Sequence, residues 1–180
     1  DGTVLCWGVN SLGQLGVGPG GRASPTVLSD LAGVAGITAG GSSTCAWESD
    51  GTLFCWGYNG DGQLGLGDTT GHNTPVLVPV YDVLQAALGR NSTCAIVTDG
   101  KVRCWGANYD GQLGDGTTTQ RLSPTPVTGL AGASNIAVGG YHACALSPEW
   151  GVRCWGRNDS GQLGDRSGTN RSAPVDVIWP

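Results

Sequence analysis

The sequence predicts an all-β repeat protein built of propeller blades, and three observations lead there. A motif recurs four times: CWGVNSLGQLGVG from Cys6, CWGYNGDGQLGLG from Cys55, CWGANYDGQLGDG from Cys104 and CWGRNDSGQLGDR from Cys154. The copies are evenly spaced. The motif cysteines lie 49, 49 and 50 residues apart, and Gln14, Gln63, Gln112 and Gln162 keep the same step. A fixed period of about 50 residues belongs to blades, solenoids or arrays. Finally, glycine supplies 33 of 180 residues without a three-residue period, among Val, Ile, Leu and Trp. That mixture suits short strands joined by tight turns.

The chain opens on DGTVLCWG, already inside a repeat, with Val4–Gly8 as a strand whose partners lie upstream. The expectation is that a leader was removed or that these residues are a piece of something longer. One full period, read from Pro75, is PVLVPVYDVLQAALG, then STCAIV, DG and KVRCWG. It holds a Pro-led extended segment, an apolar run and two short strands around an Asp-Gly turn, a strong hairpin signal. Val83 to Leu88 alone resembles a helix. Its counterparts VAGITAGG and ASNIAVGG carry β-branched residues and Gly, so all three read as strands.

Four strands per period is the content of a blade, and no single blade buries its own faces. The sets fall at about 25–57, 75–106 and 126–156, with Ala173–Pro180 beginning another. That makes about three full four-stranded antiparallel blades plus two part-blades. As one repeat domain, 1–180, the units divide at about 1–24, 25–74, 75–125, 126–172 and 173–180. Such an array has open edges. Either it belongs to a longer propeller, or copies associate edge to edge.

In the motif N-x-x-G-Q-L-G the glycines supply positive φ and close backbone approach. Leu15, Leu64, Leu113 and Leu163 plug between blades, while the Asn and Gln satisfy buried backbone groups. The motif is thus a blade-to-blade connector. The pattern P-x-x-V, a Gly-containing strand, C-A-x, then D-G-x-V-x-C-W-G-x-N-x-x-G-Q-L-G-D-G resembles the regulator of chromosome condensation repeat family. The resemblance covers essentially the whole chain. It implies a seven-bladed propeller acting as an interaction platform, and the cysteines resemble the secreted bacterial branch. Two departures stand out. Only His142 fills the family's His position two before the first Cys, with Ser43 and Ser92 elsewhere, and the third hairpin turns through Pro148-Glu149-Trp150-Gly151.

Cys45 and Cys55 lie equidistant from Asp50, Cys94 and Cys104 from Asp99, and Cys144 and Cys154 from Glu149. Residues equidistant from a tight turn face each other with Cβ atoms about 4.5–5.5 Å apart, close to disulfide geometry. Three disulfides are therefore expected, each closing a loop of roughly ten residues and contributing about 2.7 kcal/mol in the chain-entropy model. Free thiols are the bland alternative; a metal site lacks the C-x-x-C or His spacing it would need. Cys6 is left unpaired, its partner expected upstream of the first residue. Disulfides imply a secreted or cell-surface protein.

The net charge is −5, and the nine Lys and Arg are scattered, which argues against a nucleic-acid partner. No stretch approaches the roughly 18 apolar residues of a membrane span. No catalytic constellation is visible: His72 and His142 occupy different repeat contexts, and Asp50, Asp61, Asp99, Asp110 and Asp159 fall in turns, where Asp bonds its own backbone. The D-G-T-T-T run at Asp115 lacks the ligand ladder of a calcium loop. No cofactor, metal or enzymatic activity is expected.

What varies is the set of x positions in the connectors, which should gather at one rim. Tyr58, Asp61, Tyr109, Asp110, Arg157 and Asp159 are the candidate binding residues, Tyr and Arg being frequent interface anchors. Neutral drift at exposed positions is the competing reading for any one of them. Arg103 and Arg153, two before Trp105 and Trp155, are expected to stack on those rings. Sequons occur at Asn91, Asn158 and Asn170; Asn158 is also the connector Asn of its repeat, which makes chance the competing reading there, and Asn91 and Asn170 are the candidate glycan sites in a eukaryotic secreted protein. The expected function is a secreted, non-enzymatic scaffold for a protein partner. A self-associating structural module is the alternative, and a lectin the third reading.

Overall fold

The computed structural model describes residues 2–179, and among them every regular element is a strand. β1 (Val4–Gly8) pairs with β2 (Arg22–Leu28) as a two-stranded sheet. Three four-stranded antiparallel meanders follow. The first is β3 (Val34–Gly40), β4 (Ser43–Glu48), β5 (Leu53–Gly57) and β6 (His72–Leu77). The second is β7 (Val83–Leu88), β8 (Ser92–Val97), β9 (Val102–Gly106) and β10 (Arg121–Pro126). The third is β11 (Asn135–Val138), β12 (His142–Ser147), β13 (Gly151–Gly156) and β14 (Arg171–Asp176). β3, β7 and β11 lie side by side across the stack, so the meanders stand as neighbouring blades.

The Pro-led segment falls on the other side of the expected boundary. β6 pairs back onto β5, with Cys55 opposite Val76 and Gly57 opposite His72. β10 and β14 do the same to β9 and β13. Each four-stranded sheet therefore closes with this segment instead of opening with it. The reason is visible in Pro75, Pro124 and Pro174, which all sit on the outermost strand. There a missing N–H interrupts no ladder. Arg171–Asp176 thus completes the third sheet, and no second part-blade occurs among the described residues. Pro180, the end of that expectation, lies outside them.

The cysteine strands meet in the expected register. Cys45 faces Cys55, Cys94 faces Cys104 and Cys144 faces Cys154, each pair joined as a disulfide with Cα atoms 4.1 Å apart. Cys6 is a free, half-buried thiol whose pKa burial pushes up.

The core lies between sheets. One apolar cluster joins Leu53, Leu64 and Val78 to Val83, Ala95 and Trp105. A second joins Ile96, Val102 and Leu113 to Ile136, Ala143 and Trp155. A third joins Val4 and Leu28 to Ala46 and Trp56. At each junction a fully buried Trp donates to the carbonyl of the preceding connector Gln: Trp56 to Gln14 at 3.0 Å, Trp105 to Gln63 at 2.9 Å and Trp155 to Gln112 at 3.0 Å. Gly65, at φ +77°, lies against Trp105; a Cβ there would come within 2.7 Å of the indole nitrogen. Only Gly permits both that backbone and that approach.

Candidate functional site

Each connector is held rigid by its own Asn and Gln. Asn10, Asn59, Asn108 and Asn158 accept through Oδ1 from the N–H of Leu15, Leu64, Leu113 and Leu163 at 2.8–2.9 Å. Three of them donate through Nδ2 across the loop to carbonyls of Asp68, Thr117 and Ser167, each at 3.1 Å. Gln63, Gln112 and Gln162 accept from the N–H of Asp61, Asp110 and Ser160 at 2.9–3.0 Å. With these groups committed inward, the variable positions remain at the surface. Tyr109 is 68% exposed and Tyr58 37%, whereas Ala107, at the equivalent place in the third connector, is buried.

These side chains form two linked groups. The Tyr109 hydroxyl donates to Asp61 Oδ1 at 3.3 Å, and Asn91 Nδ2 donates to Asp61 Oδ2 at 2.7 Å. The Asp61 charge raises the Tyr109 pKa, its hydrogen bond adds to this, and Tyr58 contributes a smaller push. In the second group, Arg157 Nε donates to Asp159 Oδ2 at 2.8 Å. That bond lowers the Asp159 pKa and raises that of Arg157, to which Asp110 also contributes. Asn170 Nδ2 donates to Asp110 Oδ1 at 2.9 Å. Tyr141 lies beside this group, with the guanidinium carbons of Arg157 and Arg90 at 5.5 Å and 5.7 Å from its ring centroid. Arg90 Nη1 also lies 2.6 Å from the Tyr141 hydroxyl. Five of the six sequence-chosen residues thus make side-chain contacts in these two rim groups, and Tyr58 enters only through its small push on Tyr109. Arg90 and Tyr141 were not legible as members. Both sit in turns leading into the second strand of a sheet, a stretch whose variation the connector motif does not flag.

The remaining candidates divide. Asp115 is clasped by Arg121 Nε at 2.7 Å and the Thr117 hydroxyl at 2.7 Å. Its acceptors serve the turn, not a cation. No group of three or more His, Cys, Asp or Glu among the described residues could hold a metal ion. Asn158 is fully buried, and its Nδ2 donates to Asp165 at 2.9 Å as well as to Ser167. A glycan on that nitrogen has no room in this fold, so at Asn158 the connector role stands and the sequon is a coincidence of sequence. Asn91 and Asn170 lie at the rim. Arg153 lies over Trp150, 5.1 Å from its centroid, instead of Trp155, which is buried in the junction. His142 packs against Gly139, and burial lowers its pKa. A surface depression of about 1010 Å³ runs as an open trough along the first connector, lined by Asn10, Arg22 and His72 among others.

A family model of the regulator of chromosome condensation (RCC1) repeat matches residues 1–47, 50–96 and 99–146. A second model of the same repeat matches 34–63, 83–112 and 133–162. Among solved structures the chain is similar to human WBSCR16, with TM-score 0.88 and 31% identity over 99% of this chain and 49% of that one. It is similar to Prp20p from Saccharomyces cerevisiae, with TM-score 0.86 and 19% identity over 98% of this chain and 46% of that one. It is also similar to the ectodomain of the receptor kinase CR4 from Physcomitrella patens, with TM-score 0.50 and 25% identity over 86% of this chain and 37% of that one. The chain spans about half the length of the first two. No curated protein sequence matches it.

Proposed function

The chain belongs to the regulator of chromosome condensation (RCC1) repeat family, and from that premise we propose that it is a non-enzymatic binding scaffold working outside the cell, engaging a protein partner through its rim loops. The rim carries this reading: Tyr109 of the third connector bonds across blades to Asp61 of the second, Arg157 is held by Asp159, and Tyr58, Tyr109 and Arg157 reach the surface. Such residues are the usual anchors of protein interfaces. Three disulfides support an oxidising setting, and no helix is long and apolar enough to cross a membrane. The fold-mate Prp20p is described as binding Gsp1p and histones, and the CR4 likeness is to an ectodomain.

The test is affinity capture from the extracellular fluid of the source with wild type and with Tyr58→Ala/Tyr109→Ala/Arg157→Ala. A stoichiometric partner held by wild type and lost by the triple variant, at equal thermal stability, is the expected result. Equal capture by both would remove the rim from the reading. A second reading is edge-to-edge association of copies. Concentration-dependent sedimentation without a partner would move it ahead. Hits on a glycan array would favour the lectin reading instead.

A further inference from the structure

The hairpin ends of the sheets, at the opposite end of the strands from the connectors, hold a second site. One position compares directly between sheets: the residue two before the motif Trp, and the residue that faces it on the outermost strand. In the two-stranded sheet and the first meander the pair is apolar, Leu5 opposite Val27 and Phe54 opposite Leu77. In the third meander it is Arg153 opposite Asp176, and in the second it is Arg103 opposite Pro126.

The third sheet shows what an arginine at this place binds. Arg153 Nε donates to Asp176 Oδ1 at 2.7 Å, and Nη1 donates to the Gly129 carbonyl at 3.4 Å. The Asp176 side chain is 70% exposed, so the seat of that carboxylate opens to solvent. Arg103 has no such partner. Pro126 offers it no charge, and it makes no hydrogen bond or ion pair among the described residues. Every other Lys or Arg has a polar partner. Five are paired with carboxylates. Arg22 has the carbonyls of Val17 and Gly20, Arg90 the Tyr141 hydroxyl and Arg166 the Trp179 carbonyl. Arg103 is moreover half-buried, and it lines a pocket of about 400 Å³ with Pro79, Val80, Tyr81 and Pro124.

We infer that this pocket receives a carboxylate side chain of a partner protein, held on Arg103 as Asp176 is held on Arg153, with an apolar neighbour against Tyr81. It is a second docking point, beyond the connector rim and independent of it. A guanidinium matches a carboxylate with parallel N–H bonds. The pocket lining also includes Asp82 and Asp99. Asp99 is paired with Lys101. Asp82 is exposed, where water and salt screen it. One half-buried cation beside one screened anion favours a monoanion over a phosphate dianion. Tyr81, 68% exposed, and the two prolines supply the apolar wall.

The experiment uses the whole chain, immobilised, and random dodecapeptides displayed through their C-termini, so that only side-chain carboxylates are offered. Peptides that enrich on wild type are synthesised with amidated C-termini and with each Asp or Glu in turn replaced by its amide. The expected consensus pairs an acidic residue with an apolar neighbour. Arg103→Gln should weaken it about tenfold or more, the worth of a charge-assisted hydrogen bond. Pro126→Asp keeps Arg103 and supplies the carboxylate that Asp176 supplies in the third sheet. It should exclude the same peptides to a similar extent, with an unfolding midpoint no lower than that of wild type. Tyr58→Ala/Tyr109→Ala, at the other rim, should leave them bound. Peptides that carry no acid, or that keep their affinity in either Arg103→Gln or Pro126→Asp, would overturn the inference. If such peptides are lost in the tyrosine variant, the connector-rim reading stands without it. Tighter binding of phosphoserine versions of the peptides would overturn it as well, and so would the enrichment of no peptide that needs Arg103.

Discussion

Asp165 shows how much one side chain carries in a connector. Its carboxylate accepts the Ser167 hydroxyl at 2.7 Å, Arg171 Nε at 2.8 Å and Asn158 Nδ2 at 2.9 Å, with only 5% of the side chain exposed. The Ser167 bond foremost, with those from Arg171 and Asn158, holds its pKa far below the ordinary carboxylate range and outweighs burial. A depressed folded pKa means stability that is present above the unfolded value of about 3.9 and lost as the pH falls toward the folded one. Asp165→Asn should therefore unfold more easily than wild type from about pH 5 upward, and the gap should close as the solution is taken below about pH 4. Urea midpoints of both proteins across that range test this. A gap of constant size would mean that the carboxylate charge contributes nothing and that only the shape of the side chain counts.

At the scale of the element, the hairpin is the unit that the disulfides secure. Cys94 and Cys104 face each other in register in the second sheet, both fully buried. Their bond closes a loop with a sequence separation of 10. Cys94→Ala/Cys104→Ala should lose about 2–3 kcal/mol on the chain-entropy account, seen as a lower denaturant midpoint. Reductant should lower the midpoint of wild type by more than that of the double variant, which has one disulfide fewer to break. These hairpins were readable in the sequence because a tight turn fixes which residues face each other, and distance from the turn is countable. The fourth strand was harder. Nothing in PVLVPV says which neighbour it will join, since its outer position depends on what the connector brings back beside Cys55. The rim was legible by elimination: where Asn and Gln are committed to the backbone, the intervening positions are left for the surface. Arg90 and Tyr141 escaped that logic because their turns carry no repeated frame against which variation shows.

The whole molecule is a series of junctions, and they are not equal. At the first, the Gln14 carbonyl accepts both Trp56 Nε1 at 3.0 Å and the Thr44 hydroxyl at 2.8 Å. At the second, Gln63 accepts Trp105 at 2.9 Å and Thr93 at 2.7 Å. At the third, the register places Ala143 where Thr44 and Thr93 stand, and the side-chain donor to the Gln112 carbonyl is Trp155 at 3.0 Å. In a linear array each blade leans only on its neighbours, so stability is a sum of blade and junction contributions and opening begins at the weakest junction. The β11–β14 sheet should then exchange its amide hydrogens before the two sheets ahead of it. Ala143→Thr should restore the missing hydroxyl, contribute about 0.5–1.5 kcal/mol and raise the melting temperature by roughly 1–6 °C for a chain of this size. The position is fully buried, so the outcome separates two effects. A gain, with slower exchange confined to β11–β14, means that the junction is short of a hydrogen bond. A loss means that the third interface has closed around alanine and that the added volume outweighs the bond. In that case the blades, though copies in sequence, have each been packed to their own neighbour.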